Sequence, residues 1–260
     1  MPLVSLKEVT KEFVGRRRDN QAFIALRAVS ADFHSGEIVT VVGPSGCGKS
    51  TMLSLIAGLD FPSRGAVRIG GQSVTEPYEH TGVVFQKDLL LPWRTALDNI
   101  LLQAEVRGFD PRQFVDRAKE LLALVGLQGF AHFYPHELSG GMRQRVSICR
   151  ALLHDPKLLL MDEPFAALDA ITRDQLALDF QHFVKADSRT VIFITHNMDE
   201  AVFLGDRVMV MTARPGYIAE VIDIDLPRPR HLAVRNSSEF IRYTGQVREL
   251  FMRHGILQDH

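Results

Sequence analysis

The sequence predicts an α/β fold: a mostly parallel sheet with helices on both faces, an antiparallel β layer and an inserted helical region. Three observations predict it. Ile38–Val42, Leu158–Met161 and Val191–Ile194 are short apolar runs bounded by polar residues, as expected of central strands buried on both faces. Segments with helical apolar spacing lie between these runs. The first run passes into a helix through a glycine-rich turn, the order in which open α/β sheets build a ligand site. At 260 residues, 46% hydrophobic and 23% charged, the chain is long enough for a sizeable core and has ordinary globular composition. We read residues 1–260 as a single domain.

Residues 3–9 and Ala28–Phe33 alternate loosely and read as strands, with Arg16-Arg17-Arg18-Asp19-Asn20 as the hairpin loop between them. The turn His34–Glu37 leads into Ile38–Val42. Helical spacing from Ser50 to Gly58 ends on a glycine, where helices commonly stop. Val67–Ile69 and Val83–Phe85 are further strands. Between Asp98 and Ala131 the recurrence of Ala118, Leu121, Leu122 and Val125 predicts helix, closed by Gly126 and Gly129. Helices over about 143–154 and 170–185 precede the two later central strands. Val208–Met211 and Ile218–Ile224 extend the sheet. Leu226-Pro227-Arg228-Pro229-Arg230 then breaks regular structure before an amphipathic helix over about 237–254.

Lysine plus arginine (30) nearly balance aspartate plus glutamate (31), which argues against a broad basic surface for nucleic acid. Cys47 and Cys149 lie in segments of different character, so a disulfide framework is not expected and a reducing compartment is. Charges at Lys7, Glu8, Lys11 and Glu12 exclude a signal peptide there. No run approaches the roughly 18 apolar residues of a membrane span, so any work at a membrane needs another subunit for the crossing.

The chemistry begins at Gly43-Pro44-Ser45-Gly46-Cys47-Gly48-Lys49-Ser50-Thr51, which satisfies GxxxxGK[ST] between a strand and a helix. Small residues let successive backbone N–H groups turn toward a β-phosphate, and the helix N-terminus adds partial positive charge. Lys49 reaches β- and γ-oxygens, and Ser50 offers its hydroxyl to Mg²⁺. The expected ligand is ATP with Mg²⁺. Cys47 sits inside this loop as a tolerated small residue.

Leu158–Met161 delivers two carboxylates, Asp162 and Glu163, at the end of a strand where ligands of such sheets sit. Asp162 is expected at the Mg²⁺ shell, and Glu163 as the general base that polarises water. A DE pair alone could equally cap a helix. Behind a complete phosphate loop the catalytic reading leads.

Leu138-Ser139-Gly140-Gly141-Met142 resembles the LSGGQ signature of ABC ATPases, a family with a P-loop NTPase core. Gln86 at a strand end, Ala167-Leu168-Asp169 after the acidic pair, and His196 after Val191–Ile194 resemble that family's Q-loop, D-loop and switch histidine, in order. The resemblance covers nearly the whole chain. It implies catalytic roles for Gln86 and His196 beside Glu163 and Lys49, Gln86 as a further Mg²⁺ ligand, Asp169 at the nucleotide, and Phe13 as the adenine-stacking aromatic, with Phe23 as its substitute. Ser139, Gly140 and Gly141 open a helix and form a second anion site. By the resemblance they complete the ATP site of a second ATPase subunit, and the expected homodimer buries two nucleotides. Met142 departs from the family's glutamine and cannot replace its amide as a hydrogen-bond partner. Activity is expected to survive, since the serine hydroxyl and glycine amides remain.

DNA-acting members of the family are the alternative, but they insert coiled coils or zinc modules between phosphate loop and signature, and this chain shows neither heptads nor paired CxxC. Gln86-Lys87-Asp88-Leu89-Leu90-Leu91-Pro92-Trp93-Arg94, Thr212-Ala213-Arg214-Pro215-Gly216 and the tail from Leu226 resemble the ATPases of nitrate, sulfonate and taurine importers. The resemblance implies transmembrane permease subunits and, indirectly, a solute-binding protein as partners, no nucleic acid, and a peripheral place on the cytoplasmic face of the inner membrane. It also implies a nucleotide-binding core with β subdomain at 1–86 and 158–225, a helical signature subdomain at 87–157 and a tail at 226–260.

Overall fold

The computed structural model describes residues 1–14, 22–166, 168–185 and 189–257. Its strands are β1 (Val4–Val14), β2 (Ala22–Phe33), β3 (Ile38–Val42), β4 (Arg64–Ile69), β5 (Gln72–Ser73), β6 (Thr81–Val84), β7 (Leu158–Asp162), β8 (Thr190–Thr195), β9 (Arg207–Met211) and β10 (Ile218–Asp223). Its helices are α1 (Lys49–Ile56), α2 (Ala96–Val106), α3 (Val115–Leu124), α4 (Gly140–Leu152), α5 (Ala170–Lys185), α6 (Met198–Leu204) and α7 (Ser238–Arg253). The expected loop at Arg16–Asn20 lies outside the described residues. Neither β5 nor α6 is anticipated from sequence, because two and seven residues are too short for a period to register. Helix α4 starts earlier than apolar spacing suggests, at Gly140, because the Ser139 side chain accepts from Met142 N and caps it.

Two sheets form. A four-stranded antiparallel sheet runs β2-β1-β4-β5, and a six-stranded sheet runs β10-β9-β3-β8-β7-β6. The second is parallel from β9 to β6, with β10 antiparallel at its edge.

Alternation along the buried strands sorts side chains between two cores, since successive residues of a strand point to opposite faces. Ile38, Val42, Leu159, Met161, Val191, Phe193, Val208 and Val210 enter one core, shared with residues of α2 to α7. Val39, Val41, Leu158, Leu160, Ile192, Ile194, Met209 and Met211 enter the other, shared with α1 and the antiparallel sheet. A strand with one polar face could not do this, so the apolar runs are what place the parallel sheet in the middle layer.

The proline-arginine segment after β10 is anchored by a buried cation. Arg230 is 2% exposed, and its guanidinium donates to the carbonyls of Val202, Phe203 and Gly205 at the end of α6, and to that of Leu226. A positive charge at a helix C-terminus meets the carbonyl groups that lack helical partners. Burial nevertheless depresses its pKa to about 10. Gln181 of α5 closes the arrangement by bonding both the amide and the carbonyl of Arg230.

Candidate nucleotide-binding site

The loop after β3 is shaped by backbone that favours glycine. Gly46 and Gly48 have φ of 74° and 103°, in the left-handed region, and a Cβ on Gly48 would lie 2.7 Å from a Leu26 methyl and 2.9 Å from the Ala25 carbonyl. Gly48 then caps α1 without a side-chain bond, and no acidic residue stands in the first turn. The helix therefore presents unpaired N–H groups and uncancelled positive potential to whatever enters the loop. Lys49 is 5% exposed, and its ammonium donates to the carbonyls of Gly43 (2.8 Å) and Pro44 (3.1 Å). Cys47 is buried beneath the loop, and burial raises its thiol pKa; Cys47 and Cys149 are both free cysteines.

Strand β7 brings Asp162 and Glu163 to the same end of the parallel sheet. The Asp162 pKa is raised, first by burial and further by the Glu163 charge, while a hydrogen bond from Ser50 and the Lys49 charge oppose the rise. Glu163 has φ of 47°, a left-handed conformation that a non-glycine residue adopts at a cost and that recurs at functional sites. Its Oε2 lies 3.3 Å from Gln86 Nε2 and 3.1 Å from His196 Nδ1. Gln86 follows β6 and His196 follows β8, so three strand ends converge on one carboxylate oxygen.

A cleft of about 370 Å³ lies over these groups, lined by Phe13, Phe23, Ser45, Gly46, Gly48, Lys49, Ser50, Thr51, Gln86 and Glu163, with Ala25 and Arg214. At its aromatic end Phe13 and Phe23 stack with centroids 5.4 Å apart, so the two candidates act as a pair. Gly43, Pro44 and Cys47 support the loop from off the cleft wall. Arg214 was not anticipated as a site residue. The signal available in sequence was its place just past a buried strand, β9, which adjoins the strand carrying the phosphate loop.

Ser139, Gly140, Gly141 and Asp169 do not line this cleft. Ser139 is exposed at the start of α4, and Asp169 is exposed and accepts from Thr172 N in the first turn of α5. Ala167 lies outside the described residues. The Met142 side chain packs against the main core instead of pointing to solvent, which is the structural reason an apolar residue is accommodated there.

The segment after Gln86 divides its apolar side chains between solvent and core. Leu89 (53%) and Trp93 (70%) are exposed, whereas Leu90 turns inward onto the core. Its backbone is held rigidly: Arg150 donates to the carbonyls of Asp88 and Leu89, and Asn99 bonds the amide and carbonyl of Leu91.

Comparison with known proteins agrees with this geometry. Residues 26–166 match the model of the ABC transporter family. The chain is 48% identical over 223 residues to an uncharacterized ABC transporter ATP-binding protein, MJ0412, of Methanocaldococcus jannaschii, covering 86% of this chain and 82% of that one. It is 42% identical over 255 residues to the aliphatic sulfonates import ATP-binding protein SsuB of Bacillus cereus, covering 98% of both. Among solved structures, a dimeric post-hydrolysis state of the ATP-binding cassette MJ0796 bound to ADP and Pi superposes with a TM-score of 0.76 at 32% identity, over 86% of this chain and all of that one. With a phosphate loop, an acidic strand end and a helix-opening signature in a cassette of this shape, the chain belongs to the ABC transporter family, as one of its ATPases.

Proposed function

We propose that the chain is the motor subunit of an importer for a sulfonate-, nitrate- or taurine-like solute, working as a dimer that closes on two ATP. The observation that carries the dimer is the split site. Lys49, Ser50, Gln86 and Glu163 share one cleft, and His196 contacts Glu163 beside it, while the exposed signature helix opens outside it. A second copy supplies Ser139, Gly140 and Gly141 to that cleft, with Asp169 near the same contact. The SsuB similarity supports the solute class.

Within the cleft, Phe13 and Phe23 take the adenine, and Gly43 to Thr51 take the phosphates. Lys49 exchanges its carbonyl partners for phosphate oxygens. The donor set suits Mg²⁺: hard oxygens from Ser50, Gln86 and Asp162, with no cluster of three or more His, Cys, Asp or Glu among the described residues, as expected of an ion bound largely through phosphates and water. Bound there, it would neutralise phosphate charge. Glu163 accepts a proton from the attacking water, and His196 and Gln86 hold its carboxylate in place.

Among the described residues no helix is long and apolar enough to cross a membrane. Leu89 and Trp93, on a loop held by α2 and α4, form the contact to a permease subunit at the cytoplasmic face of the inner membrane. Residues 1–86 and 158–225 then act as the nucleotide-binding body, 87–157 as the arm that meets the permease, and 226–260 as a tail. The test is the chain assembled with its membrane subunits and solute-binding protein in liposomes, with or without enclosed ATP. Uptake of an alkanesulfonate, taurine or nitrate that requires ATP is expected. Hydrolysis that membrane partners leave unchanged and DNA stimulates would overturn the reading.

A further inference from the structure

Arg214 occupies the one stretch of the cleft between its aromatic end and its phosphate loop. Its Nε donates to the Gly46 carbonyl at 2.8 Å, and its guanidinium carbon lies 5.9 Å from the centroid of Phe23. The guanidinium lies across Gly46 so closely that a Cβ there would be 2.8 Å from Nη2. Its backbone is wedged in place. Gly216 N donates to Ala25 O, Arg27 N donates to Gly216 O, and a Cβ on Gly216 would collide with the Cys47 carbonyl. Thr212 and Tyr217 close the loop with their own hydrogen bonds.

Only Nε of this side chain has an acceptor among the described residues, and no carboxylate there pairs with it. The exposed Nη groups therefore keep their donors free on the wall of the cleft. Such a fork matches two oxygens of one phosphate, and it is held by a partner that fixes its plane.

We propose that Arg214 is a specificity-determining residue that binds the α-phosphate of the nucleotide, so that the cleft distinguishes a nucleoside phosphate from an inorganic one. The proposal rests on reading the cleft as the nucleotide site. The phosphate loop takes the β-phosphate and the Phe13–Phe23 pair takes the base, so the group lying between them is the α-phosphate with its ribose. Arg214 spans that interval, touching the loop at one end and the aromatic pair at the other.

Calorimetric titration of the full chain with ADP and with inorganic orthophosphate tests this, using the parent, R214K and R214A, each checked by thermal melting. In R214A, ADP affinity should fall about tenfold or more and orthophosphate affinity by less than about twofold, because a single inorganic phosphate fills the β-position in the loop and only ADP adds an α-phosphate beside the guanidinium. R214K should fall between, since an ammonium keeps the charge and loses the fork. Equal losses for both ligands would make Arg214 a prop for the phosphate loop and overturn the proposal, as would unchanged ADP affinity. A parent chain that binds neither ligand would bring down the reading of the cleft itself, and the parent titration alone separates that result from a failure of Arg214.

Discussion

His196 and Glu163 meet at the ends of neighbouring parallel strands, with His196 Nδ1 3.1 Å from Glu163 Oε2, the same oxygen that accepts from Gln86. Among the described residues Oε1 has no hydrogen-bond partner. One carboxylate oxygen is thus held while the other is free to take a proton.

Glu163→Gln keeps the size and the contacts and removes the base. Hydrolysis should drop about 10²- to 10⁴-fold, the usual worth of a positioned general base. Mg²⁺ and ATP should still bind, because Lys49, Ser50 and Asp162 are untouched. Intact ATP then stabilises the associated form by mass action, so the variant should elute as a dimer with ATP and a monomer with ADP. Size-exclusion chromatography with light scattering reads this, and undiminished hydrolysis would remove Glu163 from its role.

Trp93→Ala should leave ATPase activity of the isolated chain within about twofold and reduce transport by the whole assembly at least tenfold. The reason is its 70% exposure on a loop that bonds inward through Asn99 and Arg150, so truncation removes contact surface without disturbing the cleft. Equal losses in the isolated chain and the assembly would sink the idea.

Ser139→Arg and Met142→Gln separate the two ends of the signature. The arginine places bulk and charge at the exposed helix start, and it should abolish turnover while ATP binding to the chain's own cleft persists. Its loss of the cap should cost about 1 kcal/mol of stability, measurable by urea unfolding. Met142→Gln puts an amide against the core, so it should cost about 1–2 kcal/mol and leave turnover within a few-fold. Normal hydrolysis by the arginine variant would mean that the signature does not act on a partner's nucleotide.

The parts of the site that could be read in sequence are those whose chemistry is confined to adjacent residues. Gly43 to Thr51 and Asp162-Glu163 each carry loop, charge and strand end within a few positions, and the apolar runs of β3, β7 and β8 declare a sheet buried on both faces. Arg214 could not be placed this way. Its position depends on Gly216 wedging against β2 and the phosphate loop, a relationship between segments far apart in sequence. The inward turn of Leu90 beside an outward Leu89 is similar: all three leucines look alike in sequence, and Leu89 takes φ of 48° because Arg150 and Asn99 hold the chain on either side.

The last prediction concerns the buried carboxyl of Glu200, on the short helix α6 behind His196. It is 7% exposed and hydrogen-bonded to the Thr195 hydroxyl. Its pKa is raised, chiefly by burial, against the pull of that hydrogen bond and of the nearby Arg173, His196 and Arg235 charges. A carboxyl whose pKa is higher in the folded chain than in the unfolded one, near 4.3, binds its proton more tightly when folded. The stability it contributes is complete below the unfolded value and is lost as pH rises through the raised folded value. Glu200→Gln keeps an uncharged polar group against Thr195 and abolishes that titration. Parent and variant should therefore be most alike in acid, and the parent should weaken relative to the variant as pH climbs above the ordinary carboxylate range, levelling once Glu200 is ionised. Urea unfolding followed by circular dichroism from about pH 4.5 to pH 8 would show it. A constant difference between the two proteins at every pH would mean that Glu200 is ionised in the folded chain throughout, held by Arg173 and Arg235 in spite of its burial.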